Sequence, residues 1–396
     1  MAQLLRPPKL RTREGLEQDE RHATWTELFF DLVFVAAIAE LGSVLFGDAS
    51  LHGVLRMAGL FVPVWWIWIG YTLYADRFDS DDAVFRGLMF AGMLGSGALA
   101  INVHFAAAGS SEGFAISYVC VRVVLIALYD RARRHVPEAR PLVVRYMRGF
   151  SVSVALWLVS LAFQGTARYV IWAVAMTIDI GTPVTMPPRV FRALPVHQSH
   201  LPERFGLFIL IVLGETVVSV TAASADIHWT LDAGLVAAFA FASVACLWWI
   251  YFDLFDLGAI RNASFPAFQL YFYGHLPLLI GLTGVGAGTK LAIDAATADG
   301  LGGGARATLV GGAALSVGLL AAMEGAAKGS VRERCVVARG AATLALVVLS
   351  LVGGGLAPVL LVALVLAILA GELVSELLAP APAESHRAPS FGGEAA

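Results

Sequence analysis

Glu27, Asp31 and Glu40 lie inside the apolar stretch Trp25–Gly47, which is long enough to cross a bilayer. An ionised carboxylate at the centre of a spanning helix costs roughly 2.5 kcal/mol or more on insertion scales. A segment that served only as an anchor would not carry one. Glu27 and Asp31 are four residues apart and share a helix face, while Glu40 lies roughly opposite and near the far end. Acids in this setting hold cations, carry protons or pair with buried arginines. Glu27 also has a plainer role as a first-turn acid at the positive end of the helix, with Thr24 or Thr26 as the N-cap.

Further ionisable residues fall deep in other apolar runs. Arg122, Asp179, Glu215 and His275 each lie roughly 13 to 18 Å into a helix, at about 1.5 Å per residue. An unpaired charge at that depth is strongly disfavoured, so Arg122 is expected to pair with Asp31, Asp179 or Glu215. Asp31, Glu215, Asp179, Arg122 and His275 form the candidate path for an ion or small solute. Glu27, Glu40, Arg56, Glu203 and Arg204 are the expected supporting residues, with Arg56 and Glu40 placed to pair near the far face. The plain alternative is a set of static ion pairs that fix helix packing. His275 stands beside Pro277 and ahead of Gly281, Gly284, Gly286 and Gly288. Small residues at that spacing let helices approach closely, and a histidine at a proline break is a candidate proton-linked switch.

Other chemistries find little support. His197, His200 and Glu203 have metal-ligand types, but they follow Pro195 and read as a loop, so no metal or cofactor is expected. Cys120, Cys246 and Cys335 are far apart and form no disulfide framework. No HExxH, GxSxG, Walker or Rossmann glycine pattern occurs, so an enzyme is not the expectation. An enzyme acting on lipid through His200, Glu203 and Arg204 is the weakest alternative. No basic run interleaved with aromatics points to nucleic acid.

The elements that must position these residues follow from composition. The 396 residues are 58% hydrophobic and only 14% charged, well below the ~25% charged residues of soluble domains. This is an all-α integral membrane protein of about twelve spans, with membrane lipids and an unknown small solute or ion as partners; a homo-oligomer is compatible with it. Residues 1–23 read as a cytoplasmic N-terminal tail, 24–186 as a first six-helix half, 187–202 as a cytoplasmic connection, 203–378 as a second six-helix half and 379–396 as a disordered tail. Lys and Arg concentrate in the N-terminal tail, the loop around Arg131 to Arg148, the stretch Arg189–Arg204 and the stretch Lys328–Arg339. Arg168, Lys290 and Arg306 are the exceptions. All the basic loops then fall on one side, which places both termini in the cytoplasm of a multi-pass plasma-membrane protein. The halves show distant repetition: Glu27-x-Phe29 against Glu203-x-Phe205, and Trp65-Trp66-Ile67 against Trp248-Trp249-Ile250. An even number of helices per half implies parallel repeats.

Two signatures carry a family resemblance: Trp25-Thr-Glu-Leu-Phe-Phe-Asp-Leu-Val-Phe-Val, and His200-Leu-Pro-Glu-Arg-Phe-Gly-Leu-Phe with Leu213-Gly-Glu215. Over about Thr24 to Leu378 the chain resembles the bacterial low temperature requirement A family. That resemblance implies a polytopic bacterial membrane protein linked by name to growth in the cold, with no settled activity to carry over. Phe29-Phe30-Asp31-Leu-Val-Phe34 also looks like the Phe-Ser-Asp signature of potassium channels built from six-helix repeats. Here Phe30 stands for the serine and Leu207 where a second aspartate would align, so the likeness is a hint of fold alone.

Overall fold

Among the described residues of the computed structural model, namely 6–11, 23–187, 200–225, 230–261 and 264–378, the apolar runs form twelve long helices. The first six are α1 (Trp25–Gly47), α2 (Leu51–Arg77), α3 (Ala83–Ala107), α4 (Glu112–His135), α5 (Arg140–Ser160) and α6 (Gly165–Val184). The others are α7 (His200–Ala225), α8 (Leu231–Trp249, extended by a π turn Ile250–Leu254), α9 (Phe265–Asp294), α10 (Gly303–Lys328), α11 (Arg334–Val352) and α12 (Pro358–Leu377). Eleven of these are long and apolar enough to cross a membrane. The remaining one, α6, is 20 residues long but less apolar, since Arg168 and Asp179 lie within it. The expected all-α membrane class is what the chain adopts.

Caps explain where helices begin. Thr24 and Glu27 form a reciprocal capping box at the start of α1, satisfying two backbone donors at once. Ser50, Asp82 and Thr230 accept from backbone N–H groups at the starts of α2, α3 and α8. The seventh helix was expected to begin at Glu203 with His200 before it in the connection, but α7 begins at His200. The residues between Arg189 and Ser199, with His197, and those beyond Leu378 lie outside the described residues. The N-terminal segment is not wholly a free tail. Lys9–Leu10 (β1) pairs antiparallel with Phe78–Asp79 (β2) just after α2, and the Arg6 N–H donates to Asp82 at 2.9 Å.

In the first half α1 packs on α2 and α3, α3 on α4, α4 on α5 and α5 on α6. In the second, α7 packs on α9, α9 on α10, α10 on α11, α11 on α12 and α8 on α12. The halves meet where α1 and α2 contact α7 and α9. From Pro63 to Arg77 every residue of α2 is buried, so this helix runs through the interior and loses the one-sided pattern of a surface helix. Trp65 and Trp66 are therefore core residues, whereas Trp248 and Trp249 are 39% and 41% exposed. The repeated tryptophan pair does not serve the same packing. Between α9 and α10 the backbones nearly touch. A Cβ on Gly312 would lie 2.6 Å from the Gly281 carbonyl oxygen, and one on Gly288 would lie 2.5 Å from the Leu309 backbone.

Candidate functional site

The junction of α1 and α7 stacks three layers on the same two helices. Nearest the start of both helices, Asp31 and Arg204 form a buried ion pair at 2.7 Å. The Trp68 Nε1–H donates to the same Asp31 oxygen at 2.7 Å, and Arg204 Nη2 donates to Thr72 Oγ1 at 3.3 Å. Beside them His200 lies 3.0 Å from Asp76 and 3.3 Å from Glu27. All of these side chains are buried. The pair is under-satisfied: Asp31 Oδ2 and Arg204 Nε and Nη1 are buried without a hydrogen-bond partner. Leaving charged atoms unpaired in the interior is costly.

One turn further along, Phe34 of α1 faces Phe208 of α7 with ring centroids 6.1 Å apart. Phe208 also lies against Trp68, at 4.5 Å between centroids. Both phenylalanines are fully buried, so an apolar layer closes the space above Asp31 and Arg204. Another turn on, Ile38 and Val212 form the floor of a cleft of about 190 Å³ between α1, α7 and α9. Its walls carry Ser43, Glu215, Thr216, Ser219, Thr283 and Lys290. Ser219 donates to Glu215 at 2.9 Å. Eleven residues separate Asp31 from Gly42 and Arg204 from Glu215, so cleft and ion pair are about 16 Å apart along the helices.

The other expected residues are placed elsewhere. Arg122 selects Asp179 from its three expected partners, at 2.7 Å, and the Tyr118 hydroxyl donates to the second Asp179 oxygen at 2.6 Å. The guanidinium lies over the Phe150 ring at 4.0 Å, and neither charged side chain has any exposed surface. This pair sits inside the first half, not at the junction. His275 is fully buried, with its ring stacked on Phe205 at 4.1 Å between centroids. Its Nδ1 lies 2.6 Å from the Tyr271 carbonyl, which only accepts, so Nδ1 carries the proton. Nε2 lies 3.0 Å from the Tyr251 hydroxyl, so both ring nitrogens have partners. The expected Glu40–Arg56 pair does not form. Arg56 instead contacts His52, one turn before it on α2, and Glu40 lies 4.0 Å from the exposed His104.

Sequence reasoning missed a third buried charge cluster. Arg339 of α11 pairs with Glu324 of α10 and with Glu372 and Glu376 of α12, the last two at 3.3 and 2.8 Å. Its Nη2 also donates to the Leu254 carbonyl at 3.2 Å, where the π turn ends α8. Lys328 reaches Glu324 at 2.6 Å. Lys328 and Arg339 counted as charges of one basic stretch, and Glu372 and Glu376 within the last span were assigned no role. The available signal was the i, i+4 spacing of Glu372 and Glu376, which puts both on one face.

These elements and buried charges define a polytopic α-helical membrane protein. The sequence matches the bacterial low temperature requirement A protein family over residues 22–374, and the chain belongs to that family. It is also similar to an uncharacterized protein of Rhizobium meliloti (strain 1021), 33% identical over 293 residues, covering 69% of this chain and 71% of that protein. No group of three or more His, Cys, Asp or Glu suited to a metal ion occurs among the described residues.

Proposed function

We propose that this protein moves a small solute or ion across the bacterial plasma membrane along the junction of α1 and α7. One observation carries the reading: a cleft lined by Glu215 and Lys290, an apolar layer and a buried ion pair follow one another along the junction of the same two helices. Sites at the junction of two helical halves are usual in carriers. The recurrence of the same helix pairs in each half supports parallel repeats: first on third, third on fourth, fourth on fifth, fifth on sixth. In this reading both termini are cytoplasmic, supported by the Lys and Arg gathered in the loops of one side, and the cleft opens on the other side.

A static scaffold or sensor is the second reading, and the Arg122–Asp179 and Arg339 clusters, buried away from the junction of the halves, favour it. The lipid-enzyme reading loses ground, because His200 is held between two carboxylates with no exposed surface. The test is flux of K⁺, Na⁺ and H⁺ and of small organic solutes in liposomes holding wild type, Asp31→Asn or Glu215→Gln. Flux that falls at least tenfold in either folded variant supports the path. Flux no greater than in empty liposomes for every solute, from folded wild type, contradicts it.

A further inference from the structure

The cleft at the α1–α7–α9 junction carries two opposite charges that do not meet. Glu215 accepts from Ser219 on its own helix and is half-buried, and no ion pair joins it to another described residue. Lys290 sits across the cleft on α9, with its ammonium 3.8 Å from the centre of the Phe46 ring. It too has no carboxylate partner within ion-pair distance among the described residues. An ammonium and a carboxylate within a membrane favour one another, yet these two stay beyond ion-pair distance, with α7 and α9 in close contact beside them: a Cβ on Gly286 would lie 2.7 Å from Thr216 Oγ1.

We infer that the cleft binds a small zwitterion, with its ammonium against Glu215 and Ser219 and its carboxylate against Lys290. The inference rests on the proposed path and names the class of solute that enters it. A simple cation would satisfy Glu215 but face the Lys290 ammonium. A simple anion would satisfy Lys290 but face the Glu215 carboxylate. Only a molecule with both charges complements both walls. Size sets the second limit. The cleft measures about 190 Å³, and a cavity of ~150 Å³ accommodates benzene, so about six to eight non-hydrogen atoms fit. Ser43, Thr216 and Thr283 supply hydroxyls for the remaining polar atoms, and the Phe46 ring and the Ile38–Val212 floor cover the short carbon body.

The experiment uses the purified full-length protein in detergent, titrated with glycine, alanine, ethylammonium or propionate and followed by thermal unfolding. Glycine and alanine are expected to raise the unfolding midpoint saturably, while ethylammonium and propionate at equal concentration do not. Glu215→Gln and Lys290→Gln should each raise the concentration for half-maximal effect at least tenfold. Leu360→Ala, on the exposed side of α12, should leave it unchanged and so controls for a general loss of stability. No saturable effect of either zwitterion overturns the inference, as does an equal effect of ethylammonium, or binding that survives both Gln variants. Should zwitterions bind while liposome flux is absent, this inference stands and the transport reading falls.

Discussion

Buried arginines in this protein divide by what their nitrogens touch. All three side-chain nitrogens of Arg339 have partners, whereas Arg204 leaves two of its three unpaired. Arg122 also leaves two, but its guanidinium rests on Phe150 and its partner Asp179 is held by Tyr118. Asp179→Asn should therefore strand a buried guanidinium and cost about 3–5 kcal/mol, read as a lower unfolding midpoint in detergent. Arg122→Met with Asp179→Leu should recover most of that loss. A single variant as stable as wild type would show that the pair braces nothing. Outside the spans, Asp82 fastens the N-terminal segment through Arg131, at 2.5 Å, and the Arg6 N–H. Burial alone would raise its pKa, but hydrogen bonds from Arg131, the Phe85 N–H and the Arg6 N–H hold the carboxyl below its ordinary value of 3.8. A depressed folded pKa means this contribution is complete above the unfolded value, about 3.9, and is lost as pH falls through the folded one. Hydrogen exchange at Arg11, whose N–H donates to the Arg77 carbonyl at 3.1 Å, should stay slow at pH 5 and accelerate only below about pH 4. In Asp82→Asn it should be fast at neutral pH; slow exchange in that variant would exclude Asp82 as the fastener.

At the scale of elements, the close crossing of α9 and α10 depends on glycines where Cβ atoms would strike backbone. Gly288→Ala and Gly312→Ala should each lower stability by about 1–3 kcal/mol through overpacking. Gly311→Ala, with open space around it, should not; equal effects at all three would refute the crossing. Most of this level was legible in the sequence. Apolar runs, N-caps and the acidic α1 signature located the helices within a few residues, and the depth of Arg122 correctly demanded an acid. The rest depended on rotation and neighbours. Nothing in Trp65-Trp66 distinguishes a central helix from one facing lipid, so the buried α2 and the exposed Trp248–Trp249 were indistinguishable. The Asp31–Arg204 pair was hidden because it joins residues 173 positions apart. Arg204 counted with the basic stretch Arg189–Arg204 at the very start of the seventh helix, whereas α7 begins a turn earlier at His200 and carries Arg204 into the buried junction.

At the scale of the molecule, the three cations that break the positive-inside pattern are each held locally. Arg168 pairs with Glu112 at 2.6 Å, Arg306 donates to the Ser350 carbonyl at 2.8 Å, and Lys290 covers Phe46. The proposed orientation rests on the other basic loops alone. A tag at either end should be reached by antibody only after the cells are opened, and labelling of intact cells would reverse the assignment. The central claim is that the path runs between α1 and α7 and is closed by Phe34 and Phe208. Its most direct test is flux through liposomes holding the Phe34→Ala, Phe208→Ala double variant, beside wild type and the lipid-facing Leu360→Ala. The account predicts that the double variant, still folded, passes ions or small solutes at least tenfold faster than wild type while Leu360→Ala does not. Flux unchanged from wild type in a folded double variant would contradict it.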